Sequence, residues 1–401
     1  MRIGIYGGTF DPPHPGHAQA ARAAVKALGL ELLLLIPAGI PPHKALSRST
    51  APAEDRLAMC RIMADKLGLD IPVRVLDMEV SRQGASYTKD TARLLRQQFP
   101  QDELWLLMGT DMFLSFHTWR EPETICQNVH LAVFRREAED RREAFEQQQA
   151  ALERDFGAVC AVVDNEDVLP LSSTQVRQAL AQGGGAEVLD ESVRGYILLH
   201  RLYGTHAQLH HLSLEDLRAC SYSMVKAKRL PHIRGTEETA ARMALRWGAE
   251  EEKARKAAIL HDCTKYLSLS EQLSTCEKYG ILLDDMERTT LPLLHAKSGA
   301  GVARSVFGME EDICQAICWH TTGRADMTLL EKILYIADYA EPNRAYPWAE
   351  ELRGLIETDL DAAVMRGLEI TIAHNAKKGK PLHPNTLQAW SWLKDHHRKE
   401  G

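Results

Sequence analysis

Residues Gly7-Gly8-Thr9-Phe10-Asp11-Pro12-Pro13-His14-Pro15-Gly16-His17 decide how the first half of this 401-residue chain is read. They follow Arg2–Tyr6, a short apolar run suited to a buried strand, and lead into His17–Leu28, an alanine-rich stretch suited to a helix. Glycines between such a strand and helix let the backbone come close to a polyphosphate, and the unpaired N–H groups of the helix start favour its charge. Two imidazoles, His14 and His17, arrive at the same place with donors for phosphate oxygens.

Working outward, apolar runs at Leu32–Ile36, Leu104–Met108, His130–Phe134 and Ala158–Val163 alternate with helical stretches. That alternation predicts a mostly parallel sheet whose strands present a ligand site at their carboxyl ends. Helices over Ser173–Gln182 and Val193–Leu202 close this half. Ser172, Ser173 and Thr174 stand where the first of these starts, so hydroxyls and free N–H groups face one way, with Arg177 one turn on.

After Gly204 the character changes. Thr205–Ser213 is polar and rich in histidine, and beyond it Glu237–Trp247, Glu251–His261, Ile313–His320 and Leu329–Tyr339 repeat apolar residues at three- and four-residue intervals. The expected architecture is α/β followed by all-α, with residues 1–204 and 214–401 as domains and 205–213 as the linker. The charged stretch Arg135–Arg154 reads as a solvated helix.

Hydrophobic residues are 45% of the chain, enough for a core in each half. A net charge of −7 lacks the basic excess of a chain that grips nucleic acid, so no nucleic-acid partner is expected. Eight cysteines without a C-x-x-C pair read as free thiols in a reducing compartment, and Cys314 and Cys318 as residues of a helix rather than ligands. The start has no secretory pattern and Leu32–Ile36 is too short to span a bilayer, so the expectation is a cytoplasmic protein without a membrane partner.

The second half carries His232, His261-Asp262, His295, His320 and Asp338 on or at the ends of helices. Neutral imidazoles and carboxylates from separate helices build metal sites inside bundles; six donors suffice for one metal, and two could share Asp262.

In the first half, five ordered segments resemble bacterial nicotinate-nucleotide adenylyltransferases. They are the eleven-residue string, Pro41-Pro42-His43-Lys44, Ser86-Tyr87-Thr88, Gly109-Thr110-Asp111 with His117 and Trp119, and Leu171-Ser172-Ser173-Thr174-Gln175-Val176-Arg177, where Leu171 replaces the family's Ile. The resemblance implies a Rossmann-like domain that transfers AMP from ATP, accompanied by Mg²⁺, to nicotinate mononucleotide. It places His14, His17, Lys44 and Arg177 on the reacting phosphates, and Gly7, Gly8, Thr9, Phe10, Ser172, Ser173 and Thr174 around ATP. Thr88, Thr110, Asp111 and Trp119 would meet the nicotinate side, although core packing is the commoner fate of a tryptophan. Pantetheine phosphate is the nearest rival acceptor; the Pro-Pro-His-Lys and His-x-Trp segments weigh against it.

The second constellation resembles the H…HD…H…H…D pattern of the HD superfamily. Arg229-Leu230-Pro231-His232, His261-Asp262-Cys263-Thr264-Lys265, His320-Thr321-Thr322-Gly323-Arg324 and Ile336-Ala337-Asp338-Tyr339-Ala340-Glu341-Pro342 resemble its symmetrical diadenosine tetraphosphate hydrolases. That implies His232, His261, Asp262, His295, His320 and Asp338 around iron or another divalent transition metal. Asp262 and Lys265 would be catalytic, and Arg324 and Arg344 would lie on phosphates. One departure is Ala296-Lys297 after His295, where relatives tend to have Gly-Pro. Another nucleotide substrate, or a silent regulatory module, is the alternative for this half; a homo-oligomer is admitted.

Overall fold

This computed structural model describes residues 1–40, 49–135, 142–164 and 171–397. Lys44 and its Pro41–His43 neighbours lie outside the described residues. The chain divides into two units, Met1–His206 and Ala207–Gly401.

The first unit runs β1 (Arg2–Gly8), α1 (Pro15–Leu28), β2 (Leu32–Pro37), α2 (Ala53–Asp65), β3 (Val73–Val75), α3 (Thr88–Gln98), β4 (Glu103–Gly109), α4 (Thr110–Leu114), α5 (Pro122–Asn128), β5 (His130–Arg135), α6 (Arg142–Phe156), β6 (Cys160–Asp164), α7 (Ser173–Ala181) and α8 (Glu191–Leu199). The six strands pair in the order β3-β2-β1-β4-β5-β6, every neighbour parallel. This is the Rossmann-like arrangement, and the strand order reverses between β1 and β4, where ligands of such sheets bind.

Two apolar layers cover the sheet. Ile3, Ile5, Leu34, Leu106 and Val133 face one and Leu33, Leu35, Leu107 and Ala132 the other, as the two-residue period of a strand buried on both faces requires. Gly39 is obligatory for space, because a Cβ there would stand 2.2 Å from the Glu79 carbonyl oxygen; a Cβ on Gly4 would stand 2.5 Å from Leu30 Cδ1 and displace that side chain.

Four segments differ from the sequence expectation. The charged stretch Arg135–Arg154, expected as a solvated helix, begins in β5 and continues in α6, whose Phe145 and Leu152 are buried in the core. Gly7 and Gly8 extend β1 rather than turning, in register with Ile36 and Pro37. Helix α1 begins at Pro15, since proline needs no N–H at a first helical position. The three-residue β3 was too short to leave a period.

Every regular element among the second unit's described residues is a helix. It runs α9 (Leu214–Ser223), α10 (Leu230–Trp247), α11 (Glu251–Leu260), α12 (Leu269–Lys278), α13 (Asp285–Thr289), α14 (Leu291–Ser305), α15 (Glu311–Trp319), α16 (Leu329–Ala340), α17 (Ala349–Thr358), α18 (Leu360–Lys377) and α19 (Pro384–His397). Helices α10, α11, α14, α15 and α16 pack around a centre built from Ala257, Ala258, Ile259, Leu260, Ile317, Ile333 and Ile336, each 0% exposed. All eight cysteines are free thiols. Among the described residues no helix is long and apolar enough to cross a membrane.

Candidate active sites

In the first unit the carboxyl ends of β1, β2 and β4 meet the starts of α1, α4 and α7. His14 caps α1 and its backbone N–H donates to His17 Nδ1 at 3.2 Å, with the two rings 3.9 Å apart. Phe10, 1% exposed, packs edge-on against Tyr6 and lies 5.0 Å from the His17 ring. Gly7 and Gly109 have no atom of a described residue within 4 Å of a would-be Cβ, so among the described residues the backbone at both strand ends leaves space for a ligand.

Helix α7 comes to the same place. Ser172 caps it through a reciprocal bond pair with Gln175, Ser173 Oγ donates to the Pro12 carbonyl at 3.1 Å, and Arg177 donates to the Asp11 carbonyl at 2.6 Å. Arg177 also reaches Asp11 Oδ2 at 3.3 Å and Thr174 Oγ1 at 3.3 Å. Two helix starts, each a source of unpaired N–H groups, thus flank one loop, Thr9–His14.

That loop is held by residues the sequence reading did not single out. Asp11 is buried; its Oδ1 accepts from the Ala51 N–H at 3.0 Å and the Tyr203 hydroxyl at 2.9 Å. Arg56, 1% exposed on α2, donates to the carbonyls of Thr9 (2.8 Å), Ala38 (2.6 Å), Gly39 (3.1 Å) and Ala51 (3.2 Å). No local signal marks it, because an arginine within an amphipathic helix ordinarily reads as solvated.

On the side expected for nicotinate, Thr88 opens α3 and Thr110 opens α4. The Thr110 hydroxyl donates to the Phe134 carbonyl at 3.0 Å, which leaves its backbone rather than its side chain for a ligand. Asp111 is exposed. Trp119 is half-buried, 5.1 Å from the Phe116 ring and packed on the core, so part of its surface serves packing.

In the second unit six predicted side chains converge. Asp262, wholly buried at the end of α11, is the hub: Oδ1 lies 3.1 Å from His295 Nε2 and 2.9 Å from Lys265 Nζ, and Oδ2 lies 3.3 Å from His261 Nε2. His232 Nε2 stands 3.3 Å from His261 Nε2 and 3.0 Å from Asp338 Oδ1; His295 Nε2 stands 3.2 Å from His320 Nε2. His232, His261 and Asp262 form one triad whose ligand atoms lie within 4.8 Å, and Asp262, His295 and His320 form another.

The opposite ring nitrogens explain why these atoms fit a divalent cation. His261 Nδ1–H donates to the Ala258 carbonyl at 2.6 Å, His320 Nδ1–H to that of Ile317 at 2.7 Å, and His232 Nδ1–H to Glu341 Oε1 at 3.1 Å. With those protons fixed on Nδ1, each ring in its neutral form turns an Nε2 lone pair toward its neighbours and the carboxylates, an acceptor set that suits a divalent cation. Burial would lower the His232 imidazole, but Asp338 and Glu341 raise it. Burial, together with the His295 and His261 rings, holds the His320 imidazole well below its ordinary range and hence neutral, the form that ligates. Burial would raise the Asp262 carboxyl, but His261, His295 and Lys265 hold it well below its usual range.

Arg344 donates to Asp338 Oδ1 at 2.5 Å and to the Asp338 carbonyl at 2.8 Å. Arg324 is directed elsewhere: its guanidinium pairs with buried Glu331 at 3.0 Å and is not among the residues lining the cleft over the metal-ligand set. Lys297, at the departure after His295, is accommodated by its own partners, Glu287 Oε1 at 3.1 Å and the Trp319 ring at 3.4 Å. Glu341 orients His232, and Arg229 is ion-paired to Asp262; nothing local in their motifs marks either partnership.

The chain matches the cytidylyltransferase-like family over residues 5–179 and the HD domain family over residues 229–343. It is 35% identical over 202 residues to a probable nicotinate-nucleotide adenylyltransferase of Neisseria meningitidis serogroup C, covering 50% of this chain and 98% of that one. It is 40% identical over 185 residues to a symmetrical bis(5'-nucleosyl)-tetraphosphatase of Bacillus subtilis, covering 45% and 98%. A second such tetraphosphatase, from Halalkalibacterium halodurans, is 42% identical over 166 residues, covering 41% and 88%. With a phosphate-ready sheet edge in one unit and a His/Asp metal cluster in the other, the chain belongs to two enzyme families at once, an adenylyltransferase-like domain fused to an HD-domain hydrolase related to bis(5'-nucleosyl)-tetraphosphatases.

Proposed function

We propose that residues 1–204 transfer AMP from ATP to nicotinate mononucleotide, and that residues 214–401 cleave diadenosine tetraphosphate to two ADP. The first half of this reading is carried by the paired helix starts of α1 and α7 on the Thr9–His14 loop. A phosphate oxygen of the mononucleotide attacks the α-phosphorus of ATP, the bond to the β-phosphate's bridging oxygen breaks, and pyrophosphate leaves with the electron pair. No base is needed. His14, His17 and Arg177 offset charge on the transferring phosphates, and Mg²⁺ arrives with ATP. Lys44 is proposed for the acceptor's phosphate on sequence resemblance alone.

The second half is carried by the acceptors converging on Asp262. The residues that would hold the metal are His232, His261, Asp262, His295, His320 and Asp338, and a divalent ion there supplies an activated water and offsets phosphate charge. The chain's own contribution is to fix the ligand tautomers through Ala258, Ile317 and Glu341, and to present Lys265 and Arg344 to the polyphosphate. The oxygen of a water bonds to a phosphorus at the central bridging oxygen, that P–O bond breaks with its electron pair going to the departing ADP, the other half becomes the second ADP, and the two protons of the water pass to solvent.

Assays on the full chain test both halves. The expected products are deamido-NAD with pyrophosphate from the first and ADP alone from the second. Equal use of nicotinamide mononucleotide or pantetheine phosphate would overturn the first assignment, and ATP with AMP as products would overturn the second.

A further inference from the structure

The HD unit's ligand set opens into a cavity of about 580 Å³. His295, His320 and Asp338 form its floor beside Lys265 and Arg344, and one wall is aromatic: Tyr339, Tyr346 and Trp348. Tyr346 and Trp348 lie in parallel, with ring centroids 4.8 Å apart and planes 13° off, and Trp348 is 5.8 Å from Tyr339. The Tyr339 hydroxyl bonds Thr371 Oγ1 at 2.7 Å, fixing this wall against α18, which contributes Asn375.

Two features argue against this being leftover core. Tyr346 is 53% exposed, although an aromatic ring of that size ordinarily gains from burial. Neither its hydroxyl, the Trp348 indole N–H nor the Asn375 amide makes a hydrogen bond to any described residue. An aromatic platform with unengaged donors, next to cations and a metal-ligand set, has the composition of a nucleotide pocket: π-face for the base, cations for the phosphates.

We propose that Tyr346 and Trp348 are the base-stacking platform of the hydrolase, holding a nucleobase whose phosphates run over Arg344 and Lys265 toward Asp262, with Asn375 as a hydrogen-bonding partner at the base edge. This deepens, and rests on, the reading of the second unit as a nucleotide hydrolase. The substrate it selects is a nucleoside polyphosphate rather than a bare polyphosphate or a sugar phosphate.

The test uses the full, metal-loaded chain and two readouts. Photolabelling with 8-azido-ADP, followed by peptide mapping, is expected to mark the segment containing Tyr346 and Trp348. Kinetics with diadenosine tetraphosphate are expected to show KM raised on the order of ten- to a hundred-fold in Tyr346→Ala and in Trp348→Ala, with kcat changed less and Tyr346→Phe close to the parent. Because Trp348 also caps α17, the exposed Tyr346 variant decides where the two disagree. Absence of label on residues 339–348, or an unchanged KM in Tyr346→Ala, overturns the platform. A labelled platform in a chain that fails to cleave the tetraphosphate overturns the substrate reading and leaves the platform standing.

Discussion

At the scale of single residues, Arg56 does more for the first site than any side chain its motifs name. Its guanidinium binds four backbone carbonyls from three separate stretches, Thr9, Ala38–Gly39 and Ala51, and is almost wholly buried. Arg56→Ala leaves those carbonyls without their donor, and a loss of about 3–5 kcal/mol is expected from buried charged bonds removed on one side. Denaturant unfolding of the first unit checks this, and a loss under 1 kcal/mol would mean water replaces the guanidinium. Glu79 gives a pH-dependent counterpart. Burial pushes its carboxyl up from the ordinary 4.5, opposed by the Thr91 hydroxyl, which donates to Oε1 at 2.7 Å, and by Arg82. Because the folded-state value is raised, ionising Glu79 costs stability; the cost is absent below the ordinary value and complete above the folded one. Glu79→Gln, whose Oε1 still accepts from Thr91, is therefore expected to raise Tm relative to the parent by more at pH 8 than at pH 4.5. A pH-independent difference would refute the assignment. Neither residue was legible in the sequence, since burial of a lone charge leaves no periodic mark, whereas His14, His17 and Asp262 were legible from their order in the chain.

At the scale of elements, legibility followed length and period. Five of the strands and the longer amphipathic helices announced themselves, but Pro231 masked the first two turns of α10. It stands at that helix's start, where a proline costs nothing. Those hidden turns carry His232 and, one turn on, Gly235. A Cβ on Gly235 would stand 2.4 Å from Glu341 Oε2 and 2.9 Å from Asn343 Nδ2, so glycine is what lets the segment after α16 approach α10. That approach puts Glu341 on His232 Nδ1. Gly235→Ala is expected to displace Glu341 and lower metal affinity about 10–100-fold, the usual cost of losing an outer partner of a ligating histidine. Competition against a chelator of known affinity measures it. Glu341→Gln, which keeps the space and an acceptor, is expected to lose less; an equal loss in both would trace the effect to charge rather than to the fit of the elements.

At the scale of the whole molecule, the alternation of strands and helices followed by helices alone was legible, because strand-like apolar runs stop before Gly204 and only three- and four-residue spacing follows. Each unit accordingly has its own: Leu33, Leu35 and Leu107 with α1 and α2 in the first, Ile259, Leu260 and Ile333 in the second. Cores of this kind melt as separate cooperative units. The expected calorimetric trace of the full chain has two transitions, of which chelation lowers only one, because the buried His/Asp cluster belongs wholly to residues 232–338. The size of the shift is set by linkage: a metal present at a hundred times its dissociation constant adds about 2.7 kcal/mol to the state that binds it. ATP should act on the other transition through the α1 and α7 helix starts. If chelation moves both transitions together, the units are thermodynamically coupled and cannot be treated as two enzymes on one chain. If it moves neither, the acceptors around Asp262 are held by protons and by Arg229 and Lys265 rather than by a metal, and the hydrolase reading loses its physical basis.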